Sequence, residues 1–286
     1  MRKLRIRHVT RYRYAEPVTF HPHTLLLRPR EGHDIRIESS ELSISPAHSA
    51  LWHRDVHGNS VAVVSFQEPA TELVFESAVV IEHYEDVPLK FTLEPYAERY
   101  PFHYDAAERP DLAPYMQTLF TKDDASLRTW SEEFWKPDRV LPTYELLETM
   151  NRAIPARFQY RMREEPGVQR PSETLALGGG SCRDFATLFM ETCRHIGLAA
   201  RFVSGYLYAP NLPAAQGATH AWSEVYLPGA GWRGFDSTTG TLVGGDHIAV
   251  AVARHPESVP PVSGSFEGNS GPPPAMEVEV AVDLLA

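Results

Sequence analysis

Over the opening stretch of the chain, apolar and polar residues take turns. Arg5 to Tyr14, Ile35 to Ile44, Ser60 to Phe66 and Glu72 to Tyr84 are rich in alternating or β-branched positions, the pattern of strands that bury one face. Turn residues separate them at Glu31-Gly32-His33-Asp34 and His57-Gly58-Asn59. Residues 1–85 are therefore expected to form a small antiparallel β domain of sandwich type. Residues 86–142 hold many prolines and aromatics, with a helix expected at Ser126 to Trp135, and read as a connecting and covering segment.

From residue 143 the period changes. Tyr144 to Ile154 reads as a helix, and from Arg183 to Ile196 the residues Phe185, Leu188, Phe189 and Ile196 fall near one stripe, with Ala186, Met190 and Cys193 beside it. That second helix is buried and should stop at Gly197. Arg201 to Tyr208, Trp222 to Leu227 and Trp232 to Phe235 follow as strands. Helix first and sheet after predicts an α+β core over residues 143–256, its cysteine-bearing helix packed on an antiparallel sheet. Residues 257–286 complete the chain as a Pro/Gly-rich loop, reaching Pro274, and a last strand at Met276 to Val282. No internal repeat is visible.

The candidate chemistry sits at the start of the buried helix. In Leu177-Gly178-Gly179-Gly180-Ser181-Cys182-Arg183-Asp184-Phe185, three glycines lead through Ser181 into a cysteine at the first helical turn. Glycine permits the sharp, close-packed entry, and the helix N-terminus favours a thiolate. Downstream come Thr219-His220-Ala221-Trp222 and Phe235-Asp236-Ser237-Thr238, an imidazole and a carboxylate to orient it. Pro228-Gly229-Ala230-Gly231 is a hairpin turn signal. Folding the hairpin about Pro228 sets His220 opposite Asp236, within reach of a hydrogen bond, and Trp222 opposite Gly234, where the indole has room to lie over the pair and exclude water. A slip of one residue would undo this register. Asp184 is accounted for by the helix dipole, Glu224 is expected at a pocket edge or sheet surface, and Cys193 reads as a core residue. Cys193 lies roughly 16 Å from Cys182 along the helix axis, too far for a disulfide.

The segments GGGSCRDFATLFMETCRHIGLAARFVSGYL, THAWSEVYLPGAGWRGFDSTTG and HIAVAVARHPESVPPVSGSFEG resemble those of bacterial transglutaminase-like proteins. RIRHVTRYRYAEPVTFHPHTLLLRPR and DVHGNSVAVVSF resemble the β-rich N-terminal region that such proteins carry. The resemblance implies a papain-like, transglutaminase-like core and a catalytic triad at Cys182, His220 and Asp236. Beside the triad, Trp222, Gly180 and Ser181 are the expected substrate-binding or site-shielding residues. One departure is Asp236-Ser237-Thr238, where the family usually has Asp-Pro-Thr. It takes a proline's constraint from the turn after the carboxylate. The family includes amide hydrolases as well as transamidating enzymes.

Composition narrows the partners. A formal charge of −10 argues against nucleic acid or an anionic membrane. No stretch approaches the roughly 20 apolar residues that span a bilayer, and Met1 to Arg7 is not followed by the apolar run of a signal peptide. With two cysteines, a reducing cytoplasm is the expected location. Histidines cluster at His21-Pro22-His23 and at His53 with His57, and the i, i+2 pair could supply half a zinc site, but no acidic or cysteine partner stands at a recognisable ligand spacing. No Asp-rich calcium loop ends in a bidentate glutamate. The expectation is an enzyme without metal or cofactor.

These readings converge on thiol-dependent acyl transfer at amide bonds of a peptide or protein, most simply peptidase or amidase hydrolysis. Transamidation to a primary amine uses the same residues. A non-catalytic peptide-binding module and a redox thiol sensor are the other classes, the second lacking a resolving cysteine within reach. Two further expectations are that the β domain lies beside the cleft and selects substrates, and that Pro210 to Ala218 acts as a gate before His220. Oligomeric state and the second oxyanion donor are not legible.

Overall fold

The structure is a computed structural model that describes residues 1–84, 91–163, 165–210, 219–268 and 273–285. Among these, no helix is long and apolar enough to cross a membrane. Six strands open the chain: β1 (Arg2–Phe20), β2 (His23–Leu25), β3 (Ile35–Ser45), β4 (His48–Arg54), β5 (Ser60–Phe66) and β6 (Ala70–His83). Alternation marked the ends of β3, β5 and β6 to within two residues, but β1 runs six residues past its marked end and β2 and β4 were not legible. β4 is almost wholly exposed, so it has no buried period to read. The β1–β6 ladder runs from Arg2–His83 to Arg13–Glu72 and breaks before Val18, where Pro17 has no amide hydrogen to give.

The connecting segment holds β7 (Arg99–Tyr100), α1 (Arg109–Leu112), α2 (Asp124–Ser131) and β8 (Leu141–Pro142). The helix expected to reach Trp135 ends four residues sooner, in a turn whose Phe134 and Trp135 amides both donate to the Ser131 carbonyl. The core follows with α3 (Thr143–Arg157), β9 (Gln159–Tyr160), α4 (Pro171–Leu177), β10 (Gly179–Gly180) and α5 (Cys182–His195). Then come β11 (Ala200–Leu207), β12 (Thr219–Leu227), β13 (Gly231–Asp236), β14 (Thr241–Leu242) and β15 (His247–Ala253). The last five form one antiparallel sheet in the order β14-β13-β12-β11-β15. This is the predicted α+β architecture, with α5 against β12 and β11.

Helix α5 owes its place to its apolar surface. Phe185, Leu188, Phe189, Met190 and Cys193 are each at most 1% exposed, and burying such a side chain contributes about 1.5–3 kcal/mol. The Ser223 hydroxyl of β12 donates to the Ala186 carbonyl at 2.7 Å, which pins the helix to the sheet beneath it.

The chain then returns to where it began. β16 (Val262–Ser263) pairs with β2, β17 (Phe266–Glu267) with the end of β1, and β18 (Ala275–Leu285) with β1 from Lys3–Leu285 to Arg13–Ala275. The β domain is thus two packed sheets, one containing β17, β18, β1, β6 and β3, the other in the order β16-β2-β5-β4. Both are completed by the C-terminal segment. The two domains also share apolar contacts: Leu4, Ile6 and Ile81 belong to the same buried cluster as Tyr206 and Ile248. At the seam, Asn59 is fully buried and its amide pairs with both backbone groups of Val252, at 2.8 and 2.9 Å. It substitutes for a missing strand along edge strand β15.

Candidate active site

The glycine run does three separate jobs. Gly178 closes α4 in the left-handed conformation, with φ of 62°, which glycine adopts without strain. Gly179 and Gly180 form β10 and pair in parallel with Gln159 and Tyr160. A Cβ on Gly179 would lie 2.5 Å from the Gln159 carbonyl oxygen, and one on Gly180 would lie 2.8 Å from the Asp184 Cβ. Backbone and side chains close around both, so only glycine fits.

Ser181 then turns the chain into α5. Asp184 Oδ2 accepts hydrogen bonds from the Ser181 amide and hydroxyl, both at 2.8 Å. Asp184 Oδ1 accepts from the Gln169 amide at 2.7 Å and from Arg163 at 2.8 Å. Four donors, one of them cationic, satisfy a fully buried carboxylate. Gly180 and Ser181, expected beside the substrate, are buried parts of this helix entry. Cys182 is half-buried as the first residue of α5, where its backbone amide has no acceptor within the helix.

His220 enters from β12, 9% exposed. Its Nε2 lies 3.0 Å from Asp236 Oδ2, a charge-assisted contact. It also interacts with Cys182. Burial alone pushes the imidazolium toward the neutral form. The hydrogen bonds and negative charges of Asp236 and Cys182 together outweigh that, and the His220 pKa is pushed up to about 10. Asp236 responds in reverse: burial opposes its charge, but His220 and a second histidine, His247, hold its pKa far below the carboxylate range.

The route by which these residues meet differs from the expected register. β12 and β13 pair Leu227 with Gly231 and Ser223 with Phe235, so the turn centres on Gly229, at φ of 85°, not on Pro228. Asp236 is therefore level with Trp222, and His220 reaches it along the diagonal. Diagonal partners on one sheet face lie within reach of long or aromatic side chains. Gly234 faces Glu224, and its open space is taken by Val243. Room for Trp222 comes instead from Gly205 on β11, where a Cβ would lie 2.7 Å from the indole. Trp222 is buried, tilted against the His220 ring at 6.3 Å and edge-on to His247 at 5.3 Å. It backs the two imidazoles.

The missing proline after Asp236 is offset from α3. Ser237 Oγ donates to Asn151 Oδ1 at 2.8 Å, and Asn151 Nδ2 donates to the Asp236 and Thr241 carbonyls at 3.3 and 3.0 Å. Asp236 itself accepts from the Thr238 amide at 2.8 Å, the Thr239 hydroxyl at 3.0 Å and His247 Nε2 at 3.2 Å. The hairpin argument did not reach Asn151, Thr239 or His247. Tyr160 was missed as well. It is half-exposed on β9, and burial together with the hydrogen bond and charge of Cys182 pushes its phenol up to about 12.

Other singled-out groups are engaged elsewhere. His23 Nδ1 contacts the His21 carbonyl at 2.8 Å, and His57 Nδ1 contacts the Tyr115 hydroxyl at 3.0 Å. Cys193 is fully buried, which raises its thiol pKa, and both cysteines are free. Glu224 pairs with Arg201 at 2.6 Å and borders a domain-interface cavity of about 310 Å³ that also touches Trp222 and His247. Among the described residues, the donor atoms of His220, Asp236 and His247 lie within 4.8 Å of one another, a spacing that would admit a metal ion. In the structure both imidazoles contact Oδ2 directly. The expected gate falls almost entirely on residues 211–218, outside the described residues.

Comparison with known proteins gives the same two parts. Residues 4–82 match the bacterial transglutaminase-like N-terminal region, and residues 136–237 match the transglutaminase-like superfamily. An uncharacterized protein of Mycobacterium tuberculosis is 29% identical over 99% of this chain and 92% of its own length. One of Mycobacterium leprae is 25% identical over 99% of each. In fold, the chain is similar to the crystal structure of a candidate cysteine protease from Cytophaga hutchinsonii. That similarity has a TM-score of 0.74 and 18% identity over 100% of this chain and 91% of that one.

Proposed function

We propose that this chain, which joins a bacterial transglutaminase-like N-terminal region to a transglutaminase-like core, is a thiol-dependent amide hydrolase that works through a thioacyl intermediate. The observation that carries the reading is a buried His220 between Cys182 and Asp236. A histidine so placed can take a proton from the thiol and keep it, because the resulting imidazolium faces a carboxylate that stays ionised.

The Cys182 thiolate attacks the amide carbonyl carbon, and the electron pair moves to oxygen. The Cys182 backbone amide at the helix start is one donor to that oxyanion. The Tyr160 phenol, which senses the Cys182 thiol beside it, is the second donor in this reading. His220 then gives its proton to the leaving nitrogen, and an amine departs. Water, activated by the now neutral His220, attacks the thioester, releasing a carboxylic acid and restoring the thiol. Hydrolysis is favoured over transamidation because excluding water requires a closed apolar acceptor channel.

The test is iodoacetamide alkylation followed by mass spectrometry on the wild type, Cys182→Ala and His220→Ala, then turnover of peptide amides with and without a primary amine. Rapid Cys182 labelling near neutral pH that disappears without His220, followed by amine-independent release of acid, is the expected result. Incorporation of the added amine in place of hydrolysis would make the enzyme a transamidase. Labelling no faster than an ordinary thiol would leave a peptide-binding module.

A further inference from the structure

We propose that His247 is a positioning residue of this site: it holds the Asp236 carboxylate so that His220 meets a fixed oxygen. The inference rests on the triad reading above. His247 opens edge strand β15 and is 9% exposed. Its Nε2 lies 3.2 Å from Asp236 Oδ2, the oxygen that His220 reaches at 3.0 Å. The Gly244 amide points at His247 Nδ1 at 3.4 Å. An amide can only donate, so Nδ1 is the acceptor and the neutral ring carries its hydrogen on Nε2, facing the carboxylate.

The ring has little freedom to leave. The His247 amide donates to the Gly244 carbonyl at 2.9 Å, and the His247 carbonyl meets His83 Nε2 at 3.2 Å. Trp222, edge-on, and His220, tilted, pack against the imidazole with ring centres 5.3 and 5.9 Å away. Asp236 needs such a holder because it stands at the last position of β13, where the turn begins. The Thr238 amide fixes Oδ1, and the Thr239 hydroxyl and His247 fix Oδ2. Donors on both oxygens stop the carboxylate from rotating. They also spread its charge, so it remains an anion and does not take the proton from His220.

The experiment compares Cys182 alkylation rates at pH 7, with and without EDTA, in the wild type, His220→Ala, His247→Leu, His247→Asn and His247→Gln, alongside the melting temperature of each. A glutamine amide nitrogen sits at the reach of Nε2, whereas that of asparagine stops at the reach of Nδ1. We expect the Leu and Asn variants to react about tenfold more slowly or less, and the Gln variant to stay within about threefold of wild type. If Leu does not fold, the Asn/Gln pair decides. Equal rates in all three His247 variants and wild type, with His220→Ala slow, would overturn the role of His247 and leave the triad standing. Gln as slow as Asn at an unchanged melting temperature would overturn it too. A wild-type rate that changes in EDTA would assign the cluster to a metal instead, and a wild-type Cys182 no faster than a free thiol would remove the triad reading and this one together.

Discussion

His8, at the seam between the β domain and the core, and His220, in the core's candidate site, are both withdrawn from water, yet they titrate in opposite directions. His8 is 1% exposed and touches the hydroxyls of Tyr206 and Thr10, at 3.0 and 3.1 Å. These are neutral groups that return little for burying a charge, and burial lowers its pKa to about 4. His220 suffers the same penalty, but Asp236 and Cys182 more than reverse it, and its pKa rises to about 10. Burial sets the cost of the imidazolium, and the charge of the partner decides its sign. The seam is built to keep a histidine neutral, and the site to keep one charged.

The most severe way to break this contrast is to take the charge from Asp236. With Asp236→Asn, His220 should move toward His8, its pKa falling well below the wild-type value, and turnover should drop by roughly 10³–10⁴ as the imidazole loses its orientation. The pH dependence of Cys182 alkylation and the imidazole NMR signals would show both. Next in size is the wild type's alkaline limb. The folded pKa of His220 is raised, so its stabilising contribution is complete below the unfolded value near 6.5 and is lost as pH rises through about 10. Denaturant midpoints should therefore decline between neutrality and pH 10, and Asp236→Asn should flatten that decline.

A smaller effect sharpens the other half. Because the folded pKa of His8 is depressed, the unfolded chain binds a proton first as pH falls from 6.5 toward 4. Stability should fall by about 2 kcal/mol from pH 7 to pH 5, and His8→Gln should remove that dependence in urea titrations. The smallest change is expected on the outer face of the β domain, where Arg7 meets Glu76 at 2.7 Å in the open. Arg7→Ala should cost less than about 1 kcal/mol, with any loss vanishing in high salt.

Local pattern was enough wherever one residue type answers one local demand. Alternation marked β1, β5 and β6, because each buries one face. Helical spacing marked α5, because its apolar surface is broad. The run Gly178 to Cys182 announced a tight entry, because glycine alone tolerates the backbone contacts found there. Order along the chain and resemblance to a family singled out Cys182, His220 and Asp236. Spacing left the hairpin register open, since a turn about Gly229 or Pro228 suits the same residues, and the packing of Trp222 over Gly205 accompanies the register found.

What lay beyond local pattern were contacts between segments distant in the chain. Nothing in AMEVEVAVDLL says that it pairs with Lys3 to Arg13, since a strand's alternation names a buried face and not a partner. His247 and Asn151 reach Asp236 from separate elements, and Tyr160 reaches Cys182 only because β9 lies beside β10. The identity of the candidate reactive groups was written in short motifs. Their protonation states and their orientation depend on which distant polar atoms the packed core brings within hydrogen-bonding reach, where charge and hydrogen bonding outweigh the cost of burial.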